Sequence, residues 1–213
     1  MDKFSKNQLE RYPLYLKYFK ELEESGIETI SSPKIADRFG YSQEQVRKDL
    51  QAISDSPGKP KCGRSVQQLI VDLETFLGYR NVASAIVIGT GHLGEALLNF
   101  PAFSDMGLEI VAGMDSDPSK VGSTVGGKEI YDIKNLKDVV DSLSIQLAII
   151  TVPAEVAQRV VDIAIESGIR GIWNFAPVSL IVPPHIAIEN VNLASSLAVL
   201  AHKLGKATTA DID

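Results

Sequence analysis

The chain has 213 residues, a length that suits one large domain or two modest ones. Its 45% hydrophobic and 23% charged residues exclude wholesale disorder, and no apolar run approaches the roughly 18 residues that a membrane span needs. The net charge of −6 is uneven: residues 1–66 carry +2 and residues 67–213 carry −8, so an acidic whole does not exclude a first third that meets a polyanion.

The opening run MDKFSKNQLERYPLYLKYFKE mixes both charge signs with apolar residues, unlike a secretory signal, and the expected location is the cytoplasm. In it Tyr12, Tyr15, Leu16, Phe19 and Leu22 recur at helical spacing, with Pro13 suited to a first turn and Gly26 to the end. Ser32 as N-cap with Pro33 behind it starts a second helix that Gly40 ends, and Ser42 caps a third over QEQVRKDLQAI. Helix, tight glycine turn, helix is the helix-turn-helix arrangement. Ile35, Ala36 and Phe39 face Val46, Leu50 and Ile53 inside it, which leaves Gln43, Gln45, Arg47, Lys48 and Gln51 outward, with Ser42 at the cap, as donors for base edges and phosphates. The segment SPGKPKCGRSV carries Lys59, Lys61 and Arg64 among hairpin breakers and reads as a basic wing. Three small amphipathic helices are also a common packing solution, so pattern alone leaves DNA binding open. Cys62 is the only cysteine and cannot close an intrachain disulfide; lying among cations, it is a candidate redox-reactive thiol.

Ser65 caps a linking helix through Leu77, and Gly78–Asn81 is the expected boundary. From Val82 the period changes. VASAIVI reads as a strand buried on both faces, LEIVAGM, QLAIITV and GIWNF as further strands, AEVAQRVVDIAIESG as a helix, and IENVNL as an added edge strand. Their alternation predicts a parallel sheet covered by helices.

Between the first strand and its helix stands Gly89-Thr90-Gly91-His92-Leu93-Gly94, and Asp115 ends the next strand 21 residues past Gly94. In that context G-x-G-x-x-G is a dinucleotide fingerprint. Gly89 serves the tight turn, Gly91 lets a pyrophosphate approach the backbone, and Gly94 lets helix and strand pack closely. The negative charge of Asp115 suits a free ribose and opposes a 2′-phosphate, which favours NAD(H) over NADP(H). His92, inside the loop, would contact the pyrophosphate or flank the nicotinamide. No acid/base group stands ready for a dehydrogenase, His185 and His202 read as surface residues, and no metal cluster is written in the chain, so a sensor without catalytic residues or metal is expected.

A helix-turn-helix joined to a dinucleotide domain resembles the Rex family of bacterial redox-sensing transcriptional repressors. The resemblance rests on RYPLYLKYF, SSPKIADRFG, QVRKDL, the glycine loop, MDSDPSKVG, AIITVPAEVAQ and GIWNFAPVSL, and spans about residues 8–205. It implies a homodimer that binds a palindromic double-stranded operator when NADH is scarce and leaves it when NADH binds. It implies that Thr151, Val152 and Pro153 lie beside the cofactor, that Asn174, Ala176 and Pro177 lie near the nicotinamide end, and that the C-terminal helix is exchanged between subunits. Leu193, Leu197, Leu200 and Leu204 form the stripe such an exchange would cover. The expected organisation is thus an α/β chain: a winged helix-turn-helix domain over 1–78, a Rossmann NAD(H) domain over 79–192, an exchanged helix over 193–205 and a flexible tail over 206–213.

The chain also departs from the family pattern. Pro60 and Lys61 alter the wing, Arg64 replaces a tyrosine, Phe100 stands where relatives carry tyrosine, and Asn192 stands where they carry aspartate. Phenylalanine cannot donate the hydrogen bond by which relatives couple NADH to closure. Three rivals follow: a regulator whose nucleotide site has become structural or that answers to Cys62, a module for another nucleotide such as coenzyme A, and a small NAD-dependent oxidoreductase.

Overall fold

The computed structural model describes residues 4–54 and 63–210, with the backbone alone over 205–210. The change of period near Val82 is a real division, since the chain forms two compact units, Met1–Asn81 and Val82–Asp213.

In the first unit α1 spans Lys6–Glu24, capped by the Ser5 hydroxyl, which accepts from Gln8 N. It begins earlier than Pro13 suggests, and Pro13 lies in its interior. That proline is on the exposed face, where water can take the carbonyl its missing N–H leaves unpaired. Tyr12, Tyr15, Leu16 and Phe19 face inward. A two-residue strand β1 (Thr29–Ile30) precedes α2 (Ser32–Phe39), which ends on Gly40 in the left-handed conformation. Its N-cap is Ser31, one residue before the Ser32 expected. The Ser42 hydroxyl accepts from Gln45 N and opens α3 (Gln43–Ile53). Farther along the chain, β2 (Arg64–Ser65) pairs antiparallel with β1, and α4 (Val66–Phe76) packs on α1, with the Tyr12 and Phe76 rings 5.0 Å apart edge to face. A Cβ at Gly63 would meet Ile30 O at 2.6 Å, and its φ is +78°, so the turn into β2 requires glycine.

The second unit is a seven-stranded sheet in the order β5-β6-β4-β3-β7-β8-β9. Strands β3 (Ala83–Ile88), β4 (Leu108–Asp115), β6 (Lys128–Asp132), β7 (Leu147–Ile150), β8 (Gly171–Asn174) and β9 (Ala187–Asn190) run parallel, and β5 (Thr124–Val125) is an antiparallel edge. Helices α5 (His92–Leu98), α6 (Leu136–Ser142) and α7 (Ala154–Glu166) cover it, helped by a 3₁₀ turn over Pro101–Met106. Alternation along β3 explains the two faces. Ile86 and Ile88 join a core with Val139, Ala157 and Val161, whereas Ala85 and Val87 join Leu98, Phe103 and Ile149. Because the chain leaves β3 for β4 on one side and later returns to β7 on the other, a crevice opens at the carboxyl ends of β3 and β7.

The final helix α8 covers Leu193–Ala210, longer than the expected 193–205, because Gly205 does not stop it and alanines follow. The Asn192 side chain caps it, accepting from Ser195 N at 2.8 Å. Leu193, Leu197, Val199, Leu200 and Leu204 are all more than half exposed along it. Among the described residues no helix is long and apolar enough to cross a membrane.

Candidate functional site

The helix-turn-helix face is built around a buried charge. Asp49, on the inner side of α3, accepts from Arg11 Nε at 2.7 Å, Arg11 Nη2 at 2.8 Å and the Tyr15 hydroxyl at 3.0 Å. Burial first, and then Asp49 itself, push the Tyr15 phenol above its usual range, so it stays a neutral donor. These contacts tie α1 to α3 and set which side of α3 faces out. Ser42, Gln43, Arg47 and Lys48 are exposed there. Lys48 meets Glu44 one turn earlier at 2.8 Å, but both side chains are about three-quarters exposed, so the pair is weak and does not withhold Lys48 from a phosphate. Gln45 is half-buried and turned toward α1: in the amide orientation that satisfies both its ends, its oxygen accepts from Arg11 Nη1 at 3.0 Å. Arg64 lies in β2, while Lys59, Lys61 and Cys62 lie outside the described residues.

The crevice of the second unit is a cleft of about 1040 Å³, large enough for a dinucleotide-sized ligand. Gly89, Gly91, Leu93, Asp115, Thr151, Val152, Pro153 and Pro177 line it. The glycine loop has the expected tightness at both ends. A Cβ on Gly94 would sit 2.1 Å from Gly89 O, and one on Gly89, whose φ is +98°, would meet Val152 Cγ1 at 2.8 Å. A Cβ on Gly91 would meet nothing within 4 Å, so its bareness leaves room beside the backbone. The Thr151 hydroxyl donates to Gly89 O at 2.6 Å and fixes the loop from the β7 side. The cradle therefore fits a dinucleotide pyrophosphate.

Asp115 does more than wait for a ribose. Its Oδ2 accepts from Thr90 N at 2.8 Å and Thr90 Oγ1 at 2.6 Å, and its Oδ1 accepts from Asp117 N at 3.0 Å. Lys120 Nζ lies 3.4 Å from Oδ2 and donates to Thr90 O at 2.9 Å. Burial opposes ionisation, but the Thr90 hydroxyl, these N–H donors and Lys120 outweigh it and hold the carboxyl down to about 2. It is an anion at neutral pH that braces the glycine loop and lines the cleft.

Other expected cofactor residues do not line the cleft: Thr90, Gly94, Asn174 and Ala176 are buried, and His92 is exposed. Thr90 is 1% exposed and bonded to Asp115. Asn174 is equally buried, and Ala176 N donates to its Oδ1 at 2.9 Å. The sequence reading missed Lys120, Arg159 and Phe175, which do line the cleft. The turn after Asp117, closed by Lys120 N to Asp117 O, is the local signal that could have placed Lys120 beside Asp115. No group of three His, Cys, Asp or Glu could hold a metal among the described residues.

Known proteins match both units. The family model described as CoA binding domain matches residues 81–178, and one described as putative DNA-binding protein N-terminus matches residues 3–51. The redox-sensing transcriptional repressor Rex of Clostridium botulinum (strain Eklund 17B / Type B) is 36% identical over 92% of this chain and 93% of its own. The protein of the same name from Clostridium beijerinckii is 35% identical over 93% of each chain. Among solved structures, RSP, a Rex-family repressor, in complex with β-NAD+ and operator DNA superimposes with a TM-score of 0.92 at 29% identity, covering 99% of this chain and 97% of that one. RSP in complex with β-NADH gives 0.88 at 28% identity over 99% of both chains.

Proposed function

The chain belongs to the Rex family of redox-sensing transcriptional repressors, and on that premise we propose that it represses transcription as a cytoplasmic homodimer, holding a palindromic operator until NADH binds. It binds NADH and NAD+ in the cleft of its Rossmann-like unit and double-stranded DNA through its helix-turn-helix, and it acts as a regulator rather than an enzyme. The observation that carries this reading is one chain in which a braced glycine loop with an ionised Asp115 follows a helix whose outer side presents Arg47 and Lys48. That RSP is described with NAD+ together with operator DNA, and separately with NADH, supports it.

The residue roles follow from placement. The backbone from Gly89 to Gly94 holds the pyrophosphate, with Gly91 supplying the open approach. Asp115 accepts from the adenosine ribose, and Lys120 beside it keeps the carboxylate in place. Val152, Pro153, Phe175 and Pro177 form the apolar wall that excludes water at the nicotinamide end. The bound nicotinamide cofactor supplies the redox signal, since its charge differs between the two states. Arg47 reads base edges, and Lys48, with Arg64 and the wing lysines Lys59 and Lys61, meets phosphates. The working division is a DNA-binding domain over 1–78, a nucleotide domain over 79–192 and an exchanged helix from 193. Exchange of α8 would cover its exposed leucines. In the DNA-bound dimer the two α3 helices stand about 34–36 Å apart, one duplex turn. The dimer state that closes around NADH must bind it more tightly than the DNA-bound state does, because equal affinity shifts nothing.

Fluorescence anisotropy on a palindromic operator duplex at fixed salt tests the reading. NADH is expected to release the protein at concentrations where NAD+ does little, and Asp115→Ala is expected to abolish that response. Binding indifferent to both nucleotides would overturn the switch. On the same duplex, Arg47→Ala should lose about 1–3 kcal/mol at the cognate site, and Lys48→Ala should weaken all sequences alike and lower the salt slope by about 1. Equal losses on cognate and random DNA would remove Arg47 from base reading.

A further inference from the structure

A pair of side-chain amides joins the loop at the cleft's mouth to the strand that leads into α8. Asn174, the last residue of β8, is 1% exposed and uses both of its amide hydrogens. Its Nδ2 donates to Val178 O and to Asn190 Oδ1, each at 2.9 Å, and its Oδ1 accepts from Ala176 N at 2.9 Å. It therefore grips the segment containing Phe175 and Pro177, both of which line the cleft.

The far end of that loop is pinned. Gln158, on α7, accepts from Ile181 N at 2.9 Å and donates to Ile181 O at 3.0 Å. The helix beneath is anchored by Ala157 and Val161, both fully buried. A displacement of Phe175–Pro177 cannot be taken up at Ile181 without breaking two hydrogen bonds. On the other side lies β9, an edge strand bonded to β8 alone, and so the least constrained neighbour. Asn190 stands opposite Asn174 in the register, and Val191 N donates to Asn174 O at 2.8 Å. Asn192, next but one, caps the first turn of α8.

We propose that Asn190 is a positioning residue through which the loop at the nicotinamide end of the cleft sets the start of α8, and so passes nucleotide occupancy to the dimer. The link rests on the reading of the chain as an NADH-released repressor. Its side-chain part is one accepted hydrogen bond, to which Asn190 contributes only its oxygen, while the backbone pairing of β8 with β9 is common to every variant. Aspartate can replace Asn190 in that role and alanine cannot. Asn190 is exposed, so water can reach the hydrogen that alanine would abandon.

The experiment compares full-length wild type, Asn190→Ala and Asn190→Asp by two readouts. One is NADH binding to the free protein, followed by nicotinamide fluorescence. The other is operator affinity with and without saturating NADH. In Asn190→Ala, the factor by which NADH weakens operator binding is expected to shrink about fivefold or more. Its NADH dissociation constant and its operator affinity without NADH should stay within about twofold of wild type, smaller than a typical coupling effect. Asn190→Asp should behave as wild type. The link is overturned if the alanine variant keeps the full NADH effect, if its loss lies wholly in NADH affinity, or if aspartate fails to rescue. Should alanine prevent folding, Asn190→Ser, whose hydroxyl is too short to reach Asn174, takes its place under the same criteria. Wild-type binding that ignores NADH would sink the functional reading first, and would do so before any variant is compared.

Discussion

Asp49→Ala is expected to destabilise the N-terminal unit by about 3–5 kcal/mol, a large share of the about 5–15 kcal/mol that holds a typical domain folded. The side chain is 3% exposed and its Arg11 partner 14%, so the pair is a buried one rather than a surface decoration. Removing the carboxylate strands the Arg11 Nε and Nη2 donors and leaves the Tyr15 hydroxyl without its acceptor. Arg11→Ala should cost a comparable amount for the mirror-image reason, a buried carboxylate without its cation. Replacing both, as Arg11→Met with Asp49→Leu, should recover most of the loss, because apolar groups of similar volume commonly substitute for a buried pair. What remains missing is the Tyr15 bond, about 1–3 kcal/mol for a buried hydroxyl left unsatisfied. Urea unfolding of the four proteins measures this directly, and a loss under about 1 kcal/mol for Asp49→Ala would place the pair among ordinary surface salt bridges.

The consequence for DNA is separate from stability. Arg11 also reaches Gln45, so the same guanidinium that neutralises Asp49 orients a side chain on the first turn of α3. Gln45 looked from its spacing like a free donor toward bases; its amide oxygen is instead held by α1. Arg47 and Lys48, on the exposed side of the same helix, carry no such restraint from α1.

Contacts of this kind mark where the sequence stops being legible. The helix-turn-helix could be read because its punctuation is local: Gly40 at a left-handed cap, Ser42 at an N-cap, and an apolar stripe between them. The Arg11–Asp49 pair could not, since its partners are 38 residues apart and neither is marked by its neighbours. The start of α1 is not legible because a proline such as Pro13 usually opens a helix, and its exposed position lets it sit inside one. The hairpin of β5 and β6 has a local sign in the sequence, its Gly-Gly pair. Gly126 and Gly127 have φ of +57° and +79°, the two left-handed residues a tight two-residue turn needs. At the nucleotide site the glycines and Asp115 could be read from spacing, whereas the use of Asp115 as a brace for Thr90 depends on how β3 and β4 end side by side. Asn174 fell within a segment that resembles the family's nicotinamide end, but its amide is spent on the loop behind the cleft wall.

The glycine loop offers the second large effect, and it comes as a contrast. Gly94→Ala and Gly91→Ala add the same methyl group three residues apart, and they should fail differently. At Gly94 the new Cβ would lie 2.1 Å from Gly89 O and 3.1 Å from Thr151 Oγ1. The carbonyl cannot retreat, because Thr151 holds it at 2.6 Å and the next residue, Thr90, is bonded to Asp115. Helix α5 must therefore lift from β3, at a cost of about 1–3 kcal/mol for overpacking. A distorted cradle should lose at least about tenfold in NADH affinity, which corresponds to 1.4 kcal/mol. At Gly91 an added Cβ meets nothing within 4 Å, and the residue has an ordinary φ of −72°. That variant should melt with the wild type yet lose nucleotide, because its methyl occupies the side from which the pyrophosphate approaches. Both variants keep the helix-turn-helix intact, so both should hold operator DNA and ignore NADH, giving repressors locked on. Thermal melts beside NADH titrations separate the two cases. Normal nucleotide binding by Gly91→Ala would move the pyrophosphate off this loop, and normal binding by Gly94→Ala would mean that α5 can shift without disturbing the cradle.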